Sequence, residues 1–209
     1  MNFLLPSLLA APSLNLADCI TDLMYLGLND LHIDCMDFQY THNFGLNIQN
    51  MKDIKSRYPA CTLDVHLMTN PTSKELLNQL IEIGITNISV HWNTLDKPTQ
   101  QWLIKQPINL RVALSPDENI PTNCPTKRLL ILCVNPGFSH QTLQVAMLEK
   151  AKQAKQQGFN VMLDGGINLD NIEAVMEVNP DHIIMGGGLL KHSPEQQKTI
   201  LSTIKDLRG

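Results

Sequence analysis

Two apolar segments of this chain carry histidine and aspartate at alternating positions. The side chains of an extended strand point to opposite faces in turn, so residues two apart share a face. Each segment therefore places a histidine, an aspartate and a methionine on one face. The first set is His32, Asp34 and Met36, and the second set is Asp64, His66 and Met68. A third apolar segment, 161–164, ends in Asp164 and is followed directly by Gly165 and Gly166.

Four of these side chains form a candidate metal site: His32, Asp34, His66 and Asp164. Imidazole nitrogens and carboxylate oxygens suit Zn²⁺, Fe²⁺, Mn²⁺ or Co²⁺, and the ligand types alone do not select among these ions. A lone histidine or aspartate on a strand is usually a structural residue, but four at the ends of separate strands favour a functional site. We interpret Asp64 as structural because it lies one pleat deeper than His66.

The aspartates Asp34 and Asp164 are also candidate acid–base groups. If they lie on opposite sides of a substrate, one carboxylate can remove a proton α to a carbonyl, and the other can return a proton to the opposite face. A divalent metal would stabilise the enediolate that forms between the two transfers. Such chemistry inverts one stereocentre without a redox cofactor. The sequence leaves open whether Met36 and Met68, which share the ligand faces, fill the core or line the site.

Glycine-rich segments follow the last three candidate strands. They are Asn135-Pro136-Gly137-Phe138, Gly165-Gly166 and Gly186-Gly187-Gly188. Glycine lets the backbone approach an anion closely, and backbone N–H groups can bind phosphate without lysine or arginine. Each cluster alone is typical of a turn, whereas three on adjacent loops predict a phosphate site.

The composition indicates a globular protein and argues against several classes of function. The 209 residues are 43% hydrophobic and 17% charged, which is typical of a globular domain, predicted here to be a single one spanning 1–209. The net charge of −4 argues against nucleic acid as a partner. The five cysteines are scattered, which favours reduced thiols in a cytoplasmic protein. No segment has the apolar length of a transmembrane helix, and the apolar N-terminal run lacks the basic residues of a signal peptide.

Short β-type segments alternate with segments of helical periodicity, which predicts parallel α/β architecture. Eight strands are predicted at 3–9, 31–37, 63–68, 87–92, 110–114, 128–134, 160–163 and 182–185. Helices are predicted at 14–26, around 48–54, after Ser73, at 102–105, 144–157 and 168–178, and after Ser193. The segment 115–127 is rich in proline and asparagine, and its helix is predicted to be truncated or lost. This count is that of a TIM (β/α)8 barrel, whose active sites lie at the carboxyl ends of the strands.

Five motifs, in order along the chain, resemble those of the ribulose-phosphate 3-epimerase family. They are Pro6-Ser7-Leu8-Leu9, His32-Ile33-Asp34-Cys35-Met36-Asp37, Leu63-Asp64-Val65-His66-Leu67-Met68, Val134-Asn135-Pro136-Gly137-Phe138 and Asp164-Gly165-Gly166. The resemblance implies a TIM barrel that interconverts ribulose 5-phosphate and xylulose 5-phosphate with one divalent metal ion. It also implies that Asp34 and Asp164 are the catalytic pair. The implied metal ligands are His32, Asp34, His66 and Asp164.

The same resemblance implies a set of substrate-binding residues. Ser7 and His66 would contact the substrate, and Met36 and Met68 would line the pocket. The implied phosphate-binding residues are Gly137, Phe138, Ser139, His140, Gly165, Gly166, Gly186 and Gly187. Because related barrels associate, a homo-oligomer is expected.

Several positions depart from the family pattern. Ser139 and His140 stand where two small glycines are usual. Leu132 stands where a third pocket methionine is expected, and Gly187 stands in place of a serine. The loop after the second strand is short and begins with the bulky Phe38. The metal and base residues are all retained, so the resemblance supports the reaction class more firmly than the substrate.

The sequence leaves three kinds of function open. The first is a metal-dependent 3-epimerase of ketose phosphates, acting on ribulose 5-phosphate or on a six-carbon compound such as allulose 6-phosphate. The second is a non-catalytic barrel that binds sugar phosphates, although binding alone requires no pair of bases. The third is a metal hydrolase or a decarboxylase, although a hydrolase needs an open metal position for water.

Overall fold

The computed structural model describes residues 1–138 and 141–209, and it contains eight parallel strands in one sheet. The strands are β1 (Leu4–Pro6), β2 (Asp30–Met36), β3 (Thr62–Met68), β4 (Asn87–His91), β5 (Asn109–Leu114), β6 (Arg128–Leu132), β7 (Asn160–Asp164) and β8 (His182–Met185). Each strand from β2 to β7 pairs in parallel with the strand that follows it in the chain, and β8 pairs with β1. A parallel bridge between Ser7 and His32 closes the ring. The predicted TIM barrel is confirmed.

Helices alternate with the strands along the chain. They are α1 (Leu16–Tyr25), α2 (Phe38–Thr41), α3 (Ile48–Arg57), α4 (Lys74–Glu82), α5 (Lys97–Leu103), α6 (Ala146–Gln156), α7 (Ile172–Met176), α8 (Gly187–Leu190) and α9 (Pro194–Arg208). The start of α9 is the predicted one, with a capping box between Ser193 and Gln196 and a proline in the first turn. Within the described ranges, no helix is both long and apolar enough to cross a membrane.

Two predicted elements are much shorter in the structure. The first strand is predicted at 3–9 but ends at Pro6, whose register partner Met185 is the last residue of β8, and a 3₁₀ turn at Leu8–Ala10 follows. The helix predicted at 168–178 forms only as α7. Polar side chains hold the preceding residues in a turn instead. Asn168 N donates to Asn171 Oδ1 at 3.0 Å, and Asp170 N donates to Asn168 Oδ1 at 2.8 Å.

Two helices begin at N-cap residues that were not predicted from the sequence. The helix predicted at 102–105 is α5, which starts earlier because Asp96 Oδ1 accepts a hydrogen bond from Thr99 N at 2.8 Å. The loop predicted after β2 contains the short helix α2. Its cap is Asp37, whose Oδ1 accepts from Tyr40 N at 2.7 Å. This cap fixes the direction in which the chain leaves the end of β2.

The connection between β5 and β6 contains no helix at any of its residues 115–127, all of which are described. The predicted truncation is therefore a complete loss. The ammonium group of Lys150, on α6, contacts this loop instead. Its Nζ donates to the carbonyl oxygens of Ser115 at 3.3 Å, Pro116 at 2.7 Å and Glu118 at 2.7 Å. A single cation thus holds a loop where a helix would otherwise pack.

The barrel interior is divided into a polar side and an apolar side. Buried polar side chains lie on β2, β3, β4 and β5: His32, Asp34, Asp64, His66, Ser89, His91 and Arg111. Buried apolar side chains form a separate inner cluster: Leu5, Ala113, Leu130, Leu132, Met162 and Ile184. The larger apolar core contains the outward-facing strand residues such as Ile33 and Val65. Because a buried polar group is costly unless it has partners, the polar side must be internally paired.

Candidate metal centre and active site

The four predicted ligands come together inside the carboxyl end of the barrel. His32 and Asp34 project from β2, His66 from β3 and Asp164 from the end of β7. One potential ligand atom from each residue can be chosen so that all four lie within 4.8 Å of one another. Asp34 and His66 are register partners on the paired strands β2 and β3, which accounts for their proximity. Asp164 reaches them from the other side of the barrel.

The nitrogen atoms that face this group fit a cation. His32 Nε2 lies 3.4 Å from Asp34 Oδ1 and 3.9 Å from Asp164 Oδ2. His66 Nδ1 lies 3.5 Å from Asp34 Oδ1. Both nitrogens are buried and lack a hydrogen-bond partner in the described part of the chain. Since buried polar atoms are nearly always paired, two orphaned imidazole nitrogens beside two carboxylates suit a divalent metal of the zinc or iron type.

Asp64 holds the other nitrogen of His32. His32 Nδ1 lies 2.8 Å from Asp64 Oδ2, and Arg111 Nη1 donates to Asp64 Oδ1 at 2.6 Å. All three side chains are buried. Asp64 is predicted from the sequence to be structural, and it does not line the cavity described below. The structure shows in addition that its carboxylate contacts His32. A carboxylate on the far nitrogen fixes the ring and leaves the near nitrogen available as a ligand.

An open cavity lies above the two aspartates, and both of them line it. Ser7 Oγ donates to Asp34 Oδ2 at 3.0 Å at its inner end. Eight of the predicted substrate-binding residues line this cavity: Ser7, Met68, Gly137, Phe138, Gly165, Gly166, Gly186 and Gly187. Leu132, which stands where a methionine is expected, lines it as well. Met36 and His66 are buried and do not line it. The predictions for Ser139 and His140 lie outside the described residues.

The glycines at the cavity mouth have a packing reason that the sequence alone does not give. Gly137 has φ +121°, and a Cβ there would lie 2.9 Å from the carbonyl oxygen of Thr41. Gly166 has φ +72°, and a Cβ there would overlap the backbone of Leu143. Both positions therefore require glycine for the loops to pack. The same lack of side chains leaves backbone at the cavity wall open to an anion.

Comparison with known proteins identifies the family. The model of the ribulose-phosphate 3 epimerase family matches residues 3–190 of the chain. The chain belongs to this family. Membership identifies it as an isomerase of the epimerase type that acts on carbohydrates. The structural features above are thus those of a member of the ribulose-phosphate 3 epimerase family.

Individual relatives of this epimerase-family chain are distant in sequence and similar in length. A ribulose-phosphate 3-epimerase of Buchnera aphidicola is 27% identical, with 91% of this chain and 89% of the relative covered. The Escherichia coli ribulose-phosphate 3-epimerase is 25% identical, with 93% and 91% covered. A solved phosphoribosyl anthranilate isomerase from Thermus thermophilus superposes with a TM-score of 0.71 at 18% identity, over 99% of this chain and 100% of the other. That last similarity shows the shared fold alone.

The pKa values of the two aspartates of this epimerase-family site are shifted in opposite directions. Burial raises the pKa of Asp164 to about 7, and the neighbouring charge of Asp34 adds to the shift. Burial would also raise the pKa of Asp34, but the charges and hydrogen bonds of His32 and His66 hold it well below its usual range. A pair of carboxyl groups with separated pKa values is typical of an acid and a base in one active site.

The pKa values of the two histidines are also shifted in opposite directions. Burial opposes the charge on His32, but contacts with Asp34 and Asp64 outweigh it and hold the pKa of His32 well above its usual value. Burial lowers the pKa of His66 to about 4, and the adjacent His91 contributes in the same direction. His66 is therefore neutral at physiological pH, as a metal ligand must be.

The sequence reading misses three buried or half-buried groups near the site. His91 Nε2 lies 3.0 Å from His66 Nε2, Glu118 Oε2 lies 3.5 Å from His91 Nδ1, and Arg111 pairs with Asp64. A signal was present for His91, which lies one residue before the end of the predicted strand 87–92 and alternates with Ser89. Glu118 and Arg111 carry no comparable signal, because their partners come from other strands.

Proposed function

We propose that this chain is a metal-dependent epimerase that interconverts ribulose 5-phosphate and xylulose 5-phosphate. The observation that carries the proposal is the pair Asp34 and Asp164, which line one cavity with pKa values shifted in opposite directions. Epimerisation requires a proton to leave one face of a carbon and another to arrive on the opposite face. A carboxylate and a carboxylic acid facing the same space can perform these two transfers.

One divalent metal ion, Zn²⁺, Fe²⁺, Mn²⁺ or Co²⁺, would be held by His32, Asp34, His66 and Asp164. Bound there, it would supply positive charge that stabilises the negative charge developing on the substrate carbonyl oxygen. The histidine nitrogens that face the site lack other partners in the part of the chain that is described. This fit is what supports the metal in the proposal.

The chain's own groups perform the proton transfers. The ionised Asp34 removes the proton from the carbon next to the carbonyl, and the protonated Asp164 gives its proton to the opposite face. One turnover therefore reverses the protonation of the pair, which is then ready to act in the reverse direction. Ser7, which donates to Asp34 Oδ2 at 3.0 Å, orients the carboxylate toward the cavity.

The remaining cavity wall is suited to a sugar phosphate. The loops after β6, β7 and β8 contribute Gly137, Gly165, Gly166, Gly186 and Gly187 at one side of the cavity. Their backbone would bind the phosphate, with the aspartates at the carbon that is epimerised.

The proposal includes a homo-oligomeric protein in the cytoplasm. Its five cysteines are free thiols, which is usual in a reducing compartment. Phe38 and Phe44 are 55% and 70% exposed and their rings stack with centroids 5.7 Å apart, and an exposed apolar patch often marks a surface that a partner covers. Light scattering at several protein concentrations tests the oligomer, and a monomer at all of them would contradict it.

An assay with metal-stripped and metal-restored protein tests the proposed activity. We expect ribulose 5-phosphate to be converted to xylulose 5-phosphate only after Zn²⁺, Fe²⁺, Mn²⁺ or Co²⁺ is restored. Equal turnover in the stripped protein would contradict the metal requirement. Turnover of allulose 6-phosphate in place of ribulose 5-phosphate would move the proposal to a six-carbon substrate. Binding of both sugar phosphates without turnover would replace it with a non-catalytic barrel.

A further inference from the structure

The candidate ligand His66 contacts a second buried histidine through the nitrogen that faces away from the site. His66 Nε2 lies 3.0 Å from His91 Nε2, and both side chains are fully buried. A hydrogen bond between two imidazole nitrogens requires that one carries the proton and the other does not. The tautomer of His91 therefore determines the tautomer of His66.

On its other side, His91 faces a carboxylate. His91 Nδ1 lies 3.5 Å from Glu118 Oε2, and the side chain of Glu118 is 27% exposed. An ionised carboxylate only accepts hydrogen bonds, so it favours the proton on His91 Nδ1. Asp34 Oδ1 lies at the same distance, 3.5 Å, from His66 Nδ1, but that oxygen also faces His32 Nε2 at 3.4 Å. With the proton of His91 on Nδ1, His91 Nε2 carries a lone pair and accepts from the N–H of His66, so that His66 Nδ1 is left unprotonated.

The carboxylate of Glu118 is held in this position by the loop that replaces a helix. Glu118 Oε2 accepts from Ser115 N at 2.8 Å, and Oε1 accepts from Asn93 Nδ2 at 3.0 Å. Lys150 Nζ donates to the carbonyl oxygen of Glu118 at 2.7 Å. The loop after β5 therefore presents one oriented carboxylate to the end of β4.

We propose that His91 and Glu118 are positioning residues that hold His66 in the tautomer required for metal binding. The proposal rests on the proposed function, since it takes His66 as a metal ligand. The two candidate ligand histidines then differ in the group that contacts the ring nitrogen facing away from the site. His32 is held directly by Asp64, whereas His66 is held by a carboxylate that acts through a second imidazole.

The variant Glu118→Met tests this role, with Asp117→Asn as the matched control. Methionine keeps the length of the side chain but has no carboxylate oxygen to face His91 Nδ1, the group that Glu118 Oε2 faces in the wild type. Asp117→Asn removes the same charge from an exposed neighbouring position on the same loop. Titration of Co²⁺ into each metal-free protein, followed by visible absorption, gives both the affinity and the ligand geometry.

We expect Glu118→Met to bind Co²⁺ about 10-fold or more weakly than the wild type, because loss of an outer partner typically weakens a metal site by 10–100-fold. Its Co²⁺ spectrum should also change, whereas Asp117→Asn should match the wild type in both. Unchanged affinity and spectrum in Glu118→Met would overturn the proposal. Absence of Co²⁺ binding in the wild type would instead overturn the metal site of the proposed function.

A second measurement reads the tautomers without metal or turnover. Nitrogen NMR of histidine-labelled, metal-free wild-type protein should show His66 protonated at Nε2 and His91 protonated at Nδ1. In Glu118→Met, His91 should lose its single tautomer. A wild-type His91 protonated at Nε2 would overturn the proposal even if Glu118→Met were too unstable to study.

Discussion

At the residue scale, the proposed chemistry depends on a difference between the surroundings of two aspartates. Asp34 is surrounded by His32 and His66, which stabilise its negative charge. Asp164 is buried and faces the charge of Asp34, and both effects raise its pKa, to about 7. Asp164 therefore holds a proton more readily than Asp34 does, although both side chains line one cavity.

Removing either carboxylate should stop the reaction and leave the fold intact. Asp34→Asn and Asp164→Asn each keep the shape of the side chain but lose the base, so we expect turnover to fall by at least about 10²–10⁴-fold. Asp170→Asn, at an exposed position on the loop after β7, is the matched control and should keep wild-type turnover. Steady-state rates with ribulose 5-phosphate, with circular dichroism to verify folding, check this. Substantial activity in either active-site variant would exclude the two-base assignment.

Metal binding should release protons and become tighter as pH rises. In the metal-free site, the pKa of His32 is well above its usual value. A metal ion that binds His32 Nε2 must displace a proton wherever the ring is charged, so we expect binding to release protons and to weaken as pH falls. Calorimetry at pH 6 in buffers of different ionisation heat measures the protons released, and no release would contradict the ligand set.

At the element scale, alternation along the strands accounts for most of what the sequence could predict. The period of two predicts that His32 and Asp34 share a face of β2, and that His66 shares a face with Asp64 and Met68 on β3. Contacts between distant segments could not be predicted in this way, because no local sequence pattern specifies them. The chain from His66 through His91 to Glu118 joins β3, β4 and the loop after β5.

Two short helical segments could not be predicted from the sequence, for a physical reason. The helix α2 and the start of α5 depend on single caps, Asp37 and Asp96, rather than on an apolar period. In the segment 115–127, proline and asparagine correctly predict that a regular helix fails. They do not predict that Lys150, more than twenty residues later, binds the resulting loop.

Replacing Lys150 should loosen this loop. Lys150→Met removes a charged donor from three carbonyl oxygens, and we expect it to lower the free energy of unfolding by about 1–3 kcal/mol. Hydrogen exchange should rise in the segment 115–127. Lys152→Met, which removes only ion pairs with the exposed Glu149 and Glu177, should cost less than about 1 kcal/mol. Equal effects of the two variants in urea unfolding would contradict the role given to Lys150.

At the scale of the whole molecule, polar and apolar side chains occupy different sides of the barrel interior. The polar side, on β2 to β5, contains His32, His66, His91 and Arg111, while β6 to β8 contribute mainly apolar side chains to the interior. Asp164 is the exception, since it brings a carboxylate from β7 across to the polar side. A metal ion at the site would therefore connect strands from opposite sides of the ring.

Such a connection should stabilise the folded barrel. Metal at 100 times its Kd contributes about 2.7 kcal/mol, and at this chain length we expect the melting temperature to rise by about 5–11 °C. Scanning calorimetry of metal-loaded and chelator-treated protein measures the difference. The same metal should have little effect on Asp164→Asn, which lacks one ligand. An identical melting temperature in loaded and stripped wild type would argue against the site.

The most direct test of the two-base account is the origin of the hydrogen at C3 of the product. The conversion of ribulose 5-phosphate is followed by NMR in deuterated water with metal-loaded protein, at low conversion. Because one aspartate takes the substrate proton and the other delivers a different one, we predict that xylulose 5-phosphate carries one solvent deuterium at C3. Xylulose 5-phosphate that retains the original proton at C3 would contradict proton transfer by two separate bases.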